Sequence, residues 1–344
     1  MIKERFRIIE KETDDWCKWV KESDRFDFYH TSFYHQIDNT FRSVLLLFEC
    51  ECSFIALPIV IRPIEGTPYF DVTSVYGYAG PIFHYAEGFD KSLLIDFFQT
   101  QFLAFCRREN IVSCFARLNP LIEQKEILAG LGEVVALNKT VSIDLTLSAE
   151  EQRRNYRKSL KSELNQLRRK DIIVKEASTV FEIDKFVEIY YETMDRVEAT
   201  SNYYFSKDYF HKFMNNPDFD SKLLLAYKGD RVIAGAIFTF TERIMQYHLA
   251  GTTEEFIHET PMKLILDEAR LLGNASSAEI LHLGGGVGGH DDDSLFRFKS
   301  GFSKDFKQFS IWKFIVNPGI YNRLVEEKDI KDRQSNFFPL YRSQ

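Results

Sequence analysis

The sequence lacks several features that would assign it quickly to a functional class. Its five cysteines form no C-x-x-C pair, and no stretch approaches the roughly 18 apolar residues that a membrane-spanning helix needs. The net charge of −7 argues against a general nucleic-acid-binding protein. The N-terminus is too highly charged for a secretory signal peptide. We therefore expect a cytoplasmic protein with reduced thiols, no stable membrane insertion and no DNA partner.

Common catalytic and cofactor motifs are also missing. There is no G-x-S-x-G, and the glycine run at 284–289 is followed by His290 and Asp291, which excludes a P-loop. This run matches G-x-G-x-x-G formally, but three aspartates follow it and no clean helix opens there, which disfavours a dinucleotide site. His282, His290 and residues 291–293 offer ligand atoms without metal-site spacing, so we expect no metal. His282 lies on an apolar strand, where a hydrogen-bonded core residue is expected.

An internal repeat indicates the domain organisation of the 344 residues. A shift of 178 residues places 43–47 on 221–225, Ile59 on Ile237 and Tyr69 on Tyr247. Each half has the pattern strand, strand, strand, helix, strand, which predicts a duplicated α/β domain with mixed sheets. We place the N-terminal domain at 1–147 and the C-terminal domain at 148–344.

A basic helix is predicted between the two halves. Ser148 and Glu151 form a capping box, and Tyr156 begins an apolar stripe that continues through Leu160, Leu164 and Leu167. The segment 151–170 carries eight basic residues against two acidic ones. Four basic side chains can share one face of this helix: Arg154, Arg157, Lys158 and Lys161. That face is either a solvated surface or a phosphate-binding surface.

The strongest site candidate is the stretch 282–302. It leaves an apolar strand, passes through the glycine run and ends in an aromatic-basic cluster at 295–299. Such a density of glycine is tolerated where the backbone turns sharply or approaches a ligand closely. Lys299 lies between Phe298 and a Ser-Gly-Phe sequence. Its charge either stabilises an oxyanion or a phosphate, or extends to solvent over the aromatic rings.

These features together resemble the FemAB-type branch of the GNAT superfamily. That branch includes the peptidoglycan bridge-forming aminoacyltransferases and acyltransferase-like proteins found with surface-polysaccharide biosynthesis. The resemblance rests on the repeat, the turn YGYAGP at 76–81, RNYRK at 154–158, LGGG at 283–286 and FKSGF at 298–302. It implies two tandem GNAT-like domains around a shared cleft. It also implies that a final strand, at about 309–316, can complete the sheet of the first domain.

The resemblance also implies roles for residues at the reaction centre. Lys299 matches the motif lysine of the acyl-transfer centre, with Phe298 and Gly285 beside it on the substrate side. Asn119 stands before Pro120, where bridge-forming members often have Asp. A carboxylate base at that position is therefore excluded, and Asn119 remains a substrate-binding candidate.

Further residues are expected to bind the substrates. Arg154 and Arg157 match basic positions near the phosphate of the acceptor. Three tyrosines are expected to line the cleft: Tyr76, Tyr78 and Tyr247. The expected acceptor is an amine of a nucleotide- or lipid-linked envelope precursor, belonging to peptidoglycan or to a surface polysaccharide.

The expected acyl donor is the acceptor end of an aminoacyl-tRNA. GNAT enzymes that use acetyl-CoA carry R/Q-x-x-G-x-G/A before a helix, whereas this chain reads HLAGTTEEFIHET between Tyr247 and Pro261. Acyl-CoA is therefore the less favoured co-substrate, and no permanently bound cofactor is expected. Two alternatives remain: an N-acyltransferase that uses acyl-CoA or an acyl carrier on an amino sugar or small amine, and a non-catalytic GNAT-derived binding module.

Overall fold

The computed structural model describes residues 3–11, 13–38, 41–286, 293–328, 330 and 335–343. The chain divides into two compact units. Unit 1 comprises Met1–Leu137 and Gln308–Gln344, and unit 2 comprises Asn138–Lys307. The division therefore falls before the predicted boundary at 147/148, and residues 308–344, which the sequence assigned to the second domain, belong to the first unit.

The described residues form thirteen strands and ten α-helices. The strands are β1 (Glu4–Glu10), β2 (Arg42–Cys50), β3 (Ser53–Pro63), β4 (Phe70–Thr73), β5 (Ile82–His84), β6 (Ile111–Arg117), β7 (Glu133–Asp144), β8 (Ile172–Glu176), β9 (Asp220–Lys228), β10 (Arg231–Phe240), β11 (Ile244–Thr252), β12 (Ile280–Gly284) and β13 (Asp305–Ile315). The helices are α1 (Asp14–Lys21), α2 (Ser32–Asp38), α3 (Lys91–Arg108), α4 (Ala149–Arg154), α5 (Lys158–Arg169), α6 (Val180–Arg196), α7 (Lys207–Met214), α8 (Met262–Asn274), α9 (Ser294–Lys299) and α10 (Pro318–Glu327).

Unit 1 is built on strands in the order β1-β2-β3-β4-β6-β13, with β5 also on β3. The pairs from β1 to β4 are antiparallel, β4 and β6 are parallel, and β13 runs antiparallel to β6. Asp90 begins α3 by accepting a hydrogen bond from the backbone N–H of Ser92. Helix α3 buries Phe98, Phe102 and Phe105 in an apolar core with residues of β2, β3 and β6.

Unit 2 is built on strands in the order β7-β12-β11-β10-β9-β8. The pairs from β8 to β11 are antiparallel, β11 and β12 are parallel, and β7 runs antiparallel to β12. Helices α5 and α8 cover one face of this sheet, and Leu164 and Ile265 are fully buried in its core. Because alternate residues of a strand point to opposite faces, Leu281 and Leu283 of β12 enter this core, whereas His282 points to the other face.

The predicted duplication is confirmed by strand pairing. If β5 is set aside, the main path of each sheet runs through six strands with the same sequence of pairings: three antiparallel, one parallel and one antiparallel. The sixth strand is β13 in unit 1, where Ile311 pairs with Arg117, and β7 in unit 2, where Ile143 pairs with Leu281. The strand expected at 309–316 therefore lies on the sheet of unit 1.

The prediction of one continuous basic helix across 151–170 is wrong. Ser148 and Glu151 do form the predicted capping box, but α4 ends at Arg154 and α5 begins at Lys158. Two contacts explain the break. The buried Tyr156 hydroxyl donates to Asp267 Oδ1 at 2.8 Å, and the backbone N–H of Arg157 donates to the carbonyl of Gly301 at 2.8 Å. An unbroken helix would use that N–H in its own ladder.

Candidate active site

Strands β11 and β12 separate towards their carboxyl ends. They pair in parallel from Ile244 opposite Ile280 to Gln246 opposite His282, and this last pair is joined by a side-chain hydrogen bond. In open α/β sheets, ligands bind beyond the carboxyl ends of parallel strands. The separation therefore marks the first place to look for a site in unit 2.

Both strands become irregular just past this last pair. The register of β11 on β10 skips His248, and the register of β12 on β7 skips Leu283. Gly284 then takes a φ of +74°, in the left-handed region that favours glycine. Bulges frequently occur beside active sites, where they redirect side chains. We call the opening between Tyr247 on one side and Gly284–Gly285 on the other the β11–β12 crevice.

Helix α9 places Lys299 across this crevice. Lys299 Nζ donates to the carbonyl of Gly285 at 2.7 Å and lies 5.6 Å from the centroid of the Tyr247 ring. Gly285 follows β12 and Tyr247 belongs to β11, so the ammonium contacts both sides of the crevice. Lys299 is only 7% exposed, which is unusual for lysine and excludes the alternative of a side chain extended into solvent.

The burial of Lys299 changes its acid–base behaviour. Burial lowers its pKa from 10.5 to about 7, and the negative charge of Asp293 acts in the opposite direction. A lysine with this pKa populates its charged and neutral forms together at neutral pH, so it can both donate and accept a proton. Burial also raises the pKa of Tyr247, whose phenol stays neutral.

Glycine is required in the loop that carries the Gly285 carbonyl. A Cβ on Gly285 would meet Asn138 Nδ2 at 3.0 Å and the carbonyl of Lys139 at 3.2 Å, both on β7. A Cβ on Gly286 would overlap the carboxylate of Asp293, the N-cap of α9. The loop thus passes close to β7 and to the start of α9. The rest of the glycine run, with His290 and Asp291, lies outside the described residues.

Aromatic rings hold α9 and the turn after it. Phe298 is half-buried against the core of unit 2 and packs edge-to-face with Phe302 at 5.8 Å between ring centroids. Phe302 packs edge-to-face with Tyr156 at 5.3 Å. These contacts hold α9 and the turn after it against the core of unit 2, and the predicted contact of Phe298 with a substrate stays a prediction.

Of the two predicted arginines, the structure brings Arg157 to the Lys299 segment. Besides its backbone bond to Gly301, Arg157 has a half-exposed guanidinium 3.9 Å from the carboxylate of Glu163. Arg154 instead pairs with Glu150 at 2.7 Å on the exposed surface of α4. The predicted phosphate contacts of both residues stay predictions.

Tyr76 and Tyr78 belong to unit 1 and lie on a turn with a required glycine. Tyr76 is 43% exposed, with the Arg117 guanidinium 5.6 Å from its ring centroid. Tyr78 packs edge-to-face with Tyr29 and with Phe309. Between them Gly77 has a φ of +119°, and any Cβ there would overlap the Tyr29 ring.

Asn119 has a structural role that its burial makes plain. It is 2% exposed, and its Nδ2 donates to Asp27 Oδ2 at 3.4 Å and to the carbonyl of Tyr78 at 3.3 Å. Its Oδ1 accepts from the backbone N–H of Leu121 at 2.9 Å. Asn119 therefore stabilises the turn from inside unit 1, and the structure gives no support to its predicted contact with a substrate.

Sequence reasoning identified His282 as a hydrogen-bonded core residue, and this is confirmed: it is fully buried and bonds Gln246 Oε1 through Nδ1 at 2.7 Å. It missed Gln246, because that contact depends on strand register. It also missed the buried pair Asp267 and Arg270, whose side chains meet at the Tyr156 hydroxyl.

Across the part of the chain that the structure describes, no group of three His, Cys, Asp or Glu side chains is placed to hold a metal ion.

Comparison with solved structures identifies the fold. FemX matches with a TM-score of 0.71 and 12% identity, over 93% of this chain and 99% of its own. This chain has the FemX fold. A conserved protein of unknown function from Bacteroides thetaiotaomicron matches with a TM-score of 0.59 and 10% identity, over 91% of this chain and 100% of its own. L-PGS from Bacillus licheniformis matches with a TM-score of 0.57 and 12% identity, over 90% of this chain and 93% of its own. The predicted class, α/β with two tandem GNAT-like domains, is thereby confirmed.

No protein-family model matches the sequence, and no curated protein matches it. Within the described ranges, no helix combines the length and the apolar character needed to cross a lipid bilayer.

Proposed function

We propose that this protein is a Fem/GNAT-type acyltransferase that moves an aminoacyl group from an activated ester, of the aminoacyl-tRNA kind, to an amine of a cell-envelope precursor. The observation that carries the proposal is the position of Lys299: a buried lysine whose Nζ lies across the β11–β12 crevice, bonded to Gly285 and facing Tyr247. The FemX fold agrees with the FemAB-type resemblance of the motifs.

The reaction needs one proton donor, one proton acceptor and stabilisation of the oxyanion. The amine nitrogen attacks the carbonyl carbon, the C–O ester bond breaks, the amine loses a proton and the leaving oxygen gains one. Lys299, with its pKa near 7, can donate to the oxyanion or to the leaving oxygen and can regain a proton from the amine. An oxyanion donor contributes about 3–4 kcal/mol, and positioning contributes roughly 7–11 kcal/mol, so no separate carboxylate base is required.

The segment between β11 and α8 supports a donor other than acyl-CoA. It forms a short 3-10 helix, Glu254–Glu259, where CoA-dependent GNAT enzymes have a glycine-rich loop. Three glutamates lie there: Glu255 pairs with Arg231 at 2.6 Å, and Glu259 pairs with Lys228 at 2.5 Å. This segment therefore has no glycine-rich loop whose backbone N–H groups could hold a pyrophosphate before the first turn of α8.

The first turn of α5 is the part of unit 2 that we assign to the acceptor. Arg157, Lys158 and Lys161 are concentrated there, and Arg157 bonds the turn that follows Lys299. A phosphate held there would keep its amine near Lys299, because Arg can form bidentate bonds with phosphate oxygens. Within unit 2, Arg154 remains a proposed contact of the acceptor, and within unit 1, Tyr76 and Tyr78 remain proposed contacts of a substrate.

A donor panel tests the proposal. The purified protein is incubated with radiolabelled aminoacyl-tRNA, with acetyl-CoA and with an acyl carrier, each with nucleotide-linked muropeptide and amino-sugar acceptors. We expect transfer from aminoacyl-tRNA at least tenfold above transfer from acetyl-CoA. Transfer from CoA alone would replace the proposal with the small-amine N-acyltransferase. No transfer from any donor, with retained affinity for a nucleotide-linked sugar, would favour the binding module.

A further inference from the structure

The surface of unit 2 beside α9 carries an exposed aromatic ring. Phe306, the second residue of β13, is 37% exposed. Between residues 293 and 307 it is the only large hydrophobic side chain that is exposed. A single exposed hydrophobic residue is common on protein surfaces, so its surroundings decide whether the ring has a function.

A core residue and a cation lie beside Phe306. The ring centroid of Phe296 is 5.6 Å away, and Phe296 is a buried residue of the unit 2 core. Lys139 of β7 is exposed and has its Nζ 6.0 Å from the centroid of the Phe306 ring, at the outer limit of a cation–π contact. The ring is thus supported by the core and has a positive charge beside it. We call Phe306 and Lys139 the rim pair.

Two routes connect the rim pair to the β11–β12 crevice, and both lie within unit 2. Phe296, which packs on Phe306, precedes Lys299 by three residues in α9, so the two share one side of the helix. On the other route, a Cβ on Gly285 would lie 3.2 Å from the backbone carbonyl of Lys139, and the Gly285 carbonyl accepts the hydrogen bond from Lys299. The rim pair therefore borders the two segments that carry Lys299 and its hydrogen-bond partner.

The charges around the rim pair favour an anionic ligand. Arg297 is exposed on α9 and adds a second cation close to Lys139 in the fold. The two carboxylates within 293–307 are already engaged. Asp293 caps the first turn of α9 through its backbone N–H groups, and Asp305 pairs with Lys307 at 2.9 Å.

An exposed ring with cations beside it matches the chemistry of single-stranded nucleic acid. An unpaired base can stack on an aromatic ring, while Lys and Arg contact the phosphates. A double-stranded end hides the faces of its bases, so it cannot use such a ring. A lipid surface requires several exposed hydrophobic side chains together, whereas this segment has Phe306 alone.

We propose that the rim pair binds the single-stranded 3′ end of an RNA: an unpaired base stacks on Phe306, and Lys139 and Arg297 contact the neighbouring phosphates. The inference rests on the proposed function, because it identifies where the end of the donor lies. In an aminoacyl-tRNA the ester is on the ribose of the terminal base, so a base held beside α9 brings the ester near Lys299. In acyl-CoA a long flexible arm separates the adenine from the thioester, and a base held here does not position the reacting group.

Binding of a short RNA tests the inference without any acyl transfer. The probe is a fluorescein-labelled single-stranded hexaribonucleotide that ends in CCA, and fluorescence anisotropy gives its dissociation constant. Phe306→Leu removes the aromatic face and keeps most of the apolar volume, whereas Phe306→Tyr keeps the ring. Phe337→Leu is the matched control, because Phe337 is a 52% exposed ring of unit 1.

We expect Phe306→Leu to weaken binding by about tenfold, as the loss of one stacked base predicts, and Phe306→Tyr to stay within about twofold of wild type. Lys139→Met should weaken binding and reduce the slope of log K against log salt by about 0.7, which corresponds to one phosphate contact. Coenzyme A should not displace the RNA. A loss below about twofold in Phe306→Leu, an equal loss in Phe337→Leu, or displacement by coenzyme A would overturn the proposal.

The transfer assay separates this inference from the proposed function. With aminoacyl-tRNA as donor, Phe306→Leu should raise KM for the donor and leave kcat unchanged, because the stacked base is held equally in the ground state and the transition state. Transfer with an unchanged KM in this variant would sink the inference and leave the proposed function standing. RNA binding through Phe306 without any transfer would do the reverse. If Phe306→Leu does not fold, the salt slope of Lys139→Met decides the outcome.

Discussion

Replacing Lys299 with methionine should stabilise the protein at neutral pH while removing the group that we assign to catalysis. The side chain is buried, and its pKa falls from 10.5 to about 7. The full shift corresponds to a charge-burial cost of about 5 kcal/mol at 1.36 kcal/mol per pKa unit, and about 4 kcal/mol of it applies at pH 7, where half of the folded molecules carry a neutral Lys299. Methionine has a similar length, carries no charge and fits aromatic surroundings.

The stabilisation must depend on pH in a defined direction. The pKa of Lys299 is lower in the folded state, so between pH 7 and 10.5 the unfolded chain binds more protons. The free energy of unfolding of the wild type therefore rises with pH across this window, and below pH 7 the cost is constant. The advantage of Lys299→Met should shrink by about 2 kcal/mol between pH 7 and pH 9.

Urea unfolding of both proteins at pH 7, 8 and 9, with thiols kept reduced, measures this difference. Plotting the free energy of unfolding against pH gives one curve for each protein. The contacts with Gly285 and Tyr247 that Lys299→Met loses set the constant offset between the two curves. The difference in their slopes reports the pKa of Lys299. The exposed Lys304, changed to methionine, is the matched control and should give a curve parallel to wild type. If the Lys299→Met and wild-type curves are parallel within about 0.5 kcal/mol, the lowered pKa is refuted, and with it the proton-transfer role.

Two further predictions concern the frame of each unit. Tyr156→Phe should lower the free energy of unfolding by about 2 kcal/mol, because the buried side chains of Asp267 and Arg270 lose a hydrogen-bond partner. Tyr204→Phe removes an exposed hydroxyl and is the control. It should change the free energy of unfolding by less than about 0.5 kcal/mol in the same urea titration. Gly77→Ala should destabilise unit 1 by more than about 3 kcal/mol, because its Cβ would overlap the Tyr29 ring. Gly88 also has a positive φ, but a Cβ there would meet open space. Gly88→Ala should therefore cost only about 1 kcal/mol of backbone strain, and thermal unfolding of both variants measures the difference.

Local sequence patterns predicted those strands, helices and caps that depend on residues close together in the sequence. The strands at 43–48 and 221–225, the helix after Asp90 and the capping box at Ser148 all appear in the structure, because strand alternation, helical spacing and caps act within a few residues. The repeat also predicted that both units have the same order of strands and helix, and the structure shows that they share one pairing pattern as well. Lys299 was predicted as a site residue because aromatic residues flank it in the sequence. The structure shows in addition that its side chain is buried rather than extended into solvent.

Features that depend on contacts between distant residues could not be predicted in this way. The helix break at 155–157 depends on Asp267, Arg270 and Gly301, more than a hundred residues away in sequence. The Gln246–His282 bond depends on parallel register between β11 and β12. The assignment of 308–344 to unit 1 depends on where β13 pairs. No periodicity or motif within one segment carries this information.

The rate of acyl transfer by Lys299→Ala, compared with Lys304→Ala, tests the central claim most directly. With the donor and acceptor that give the highest wild-type turnover, Lys299→Ala should reduce kcat by about 100-fold or more while circular dichroism shows an intact fold, and Lys304→Ala should stay near wild type. Turnover of Lys299→Ala within a few-fold of wild type would contradict the account.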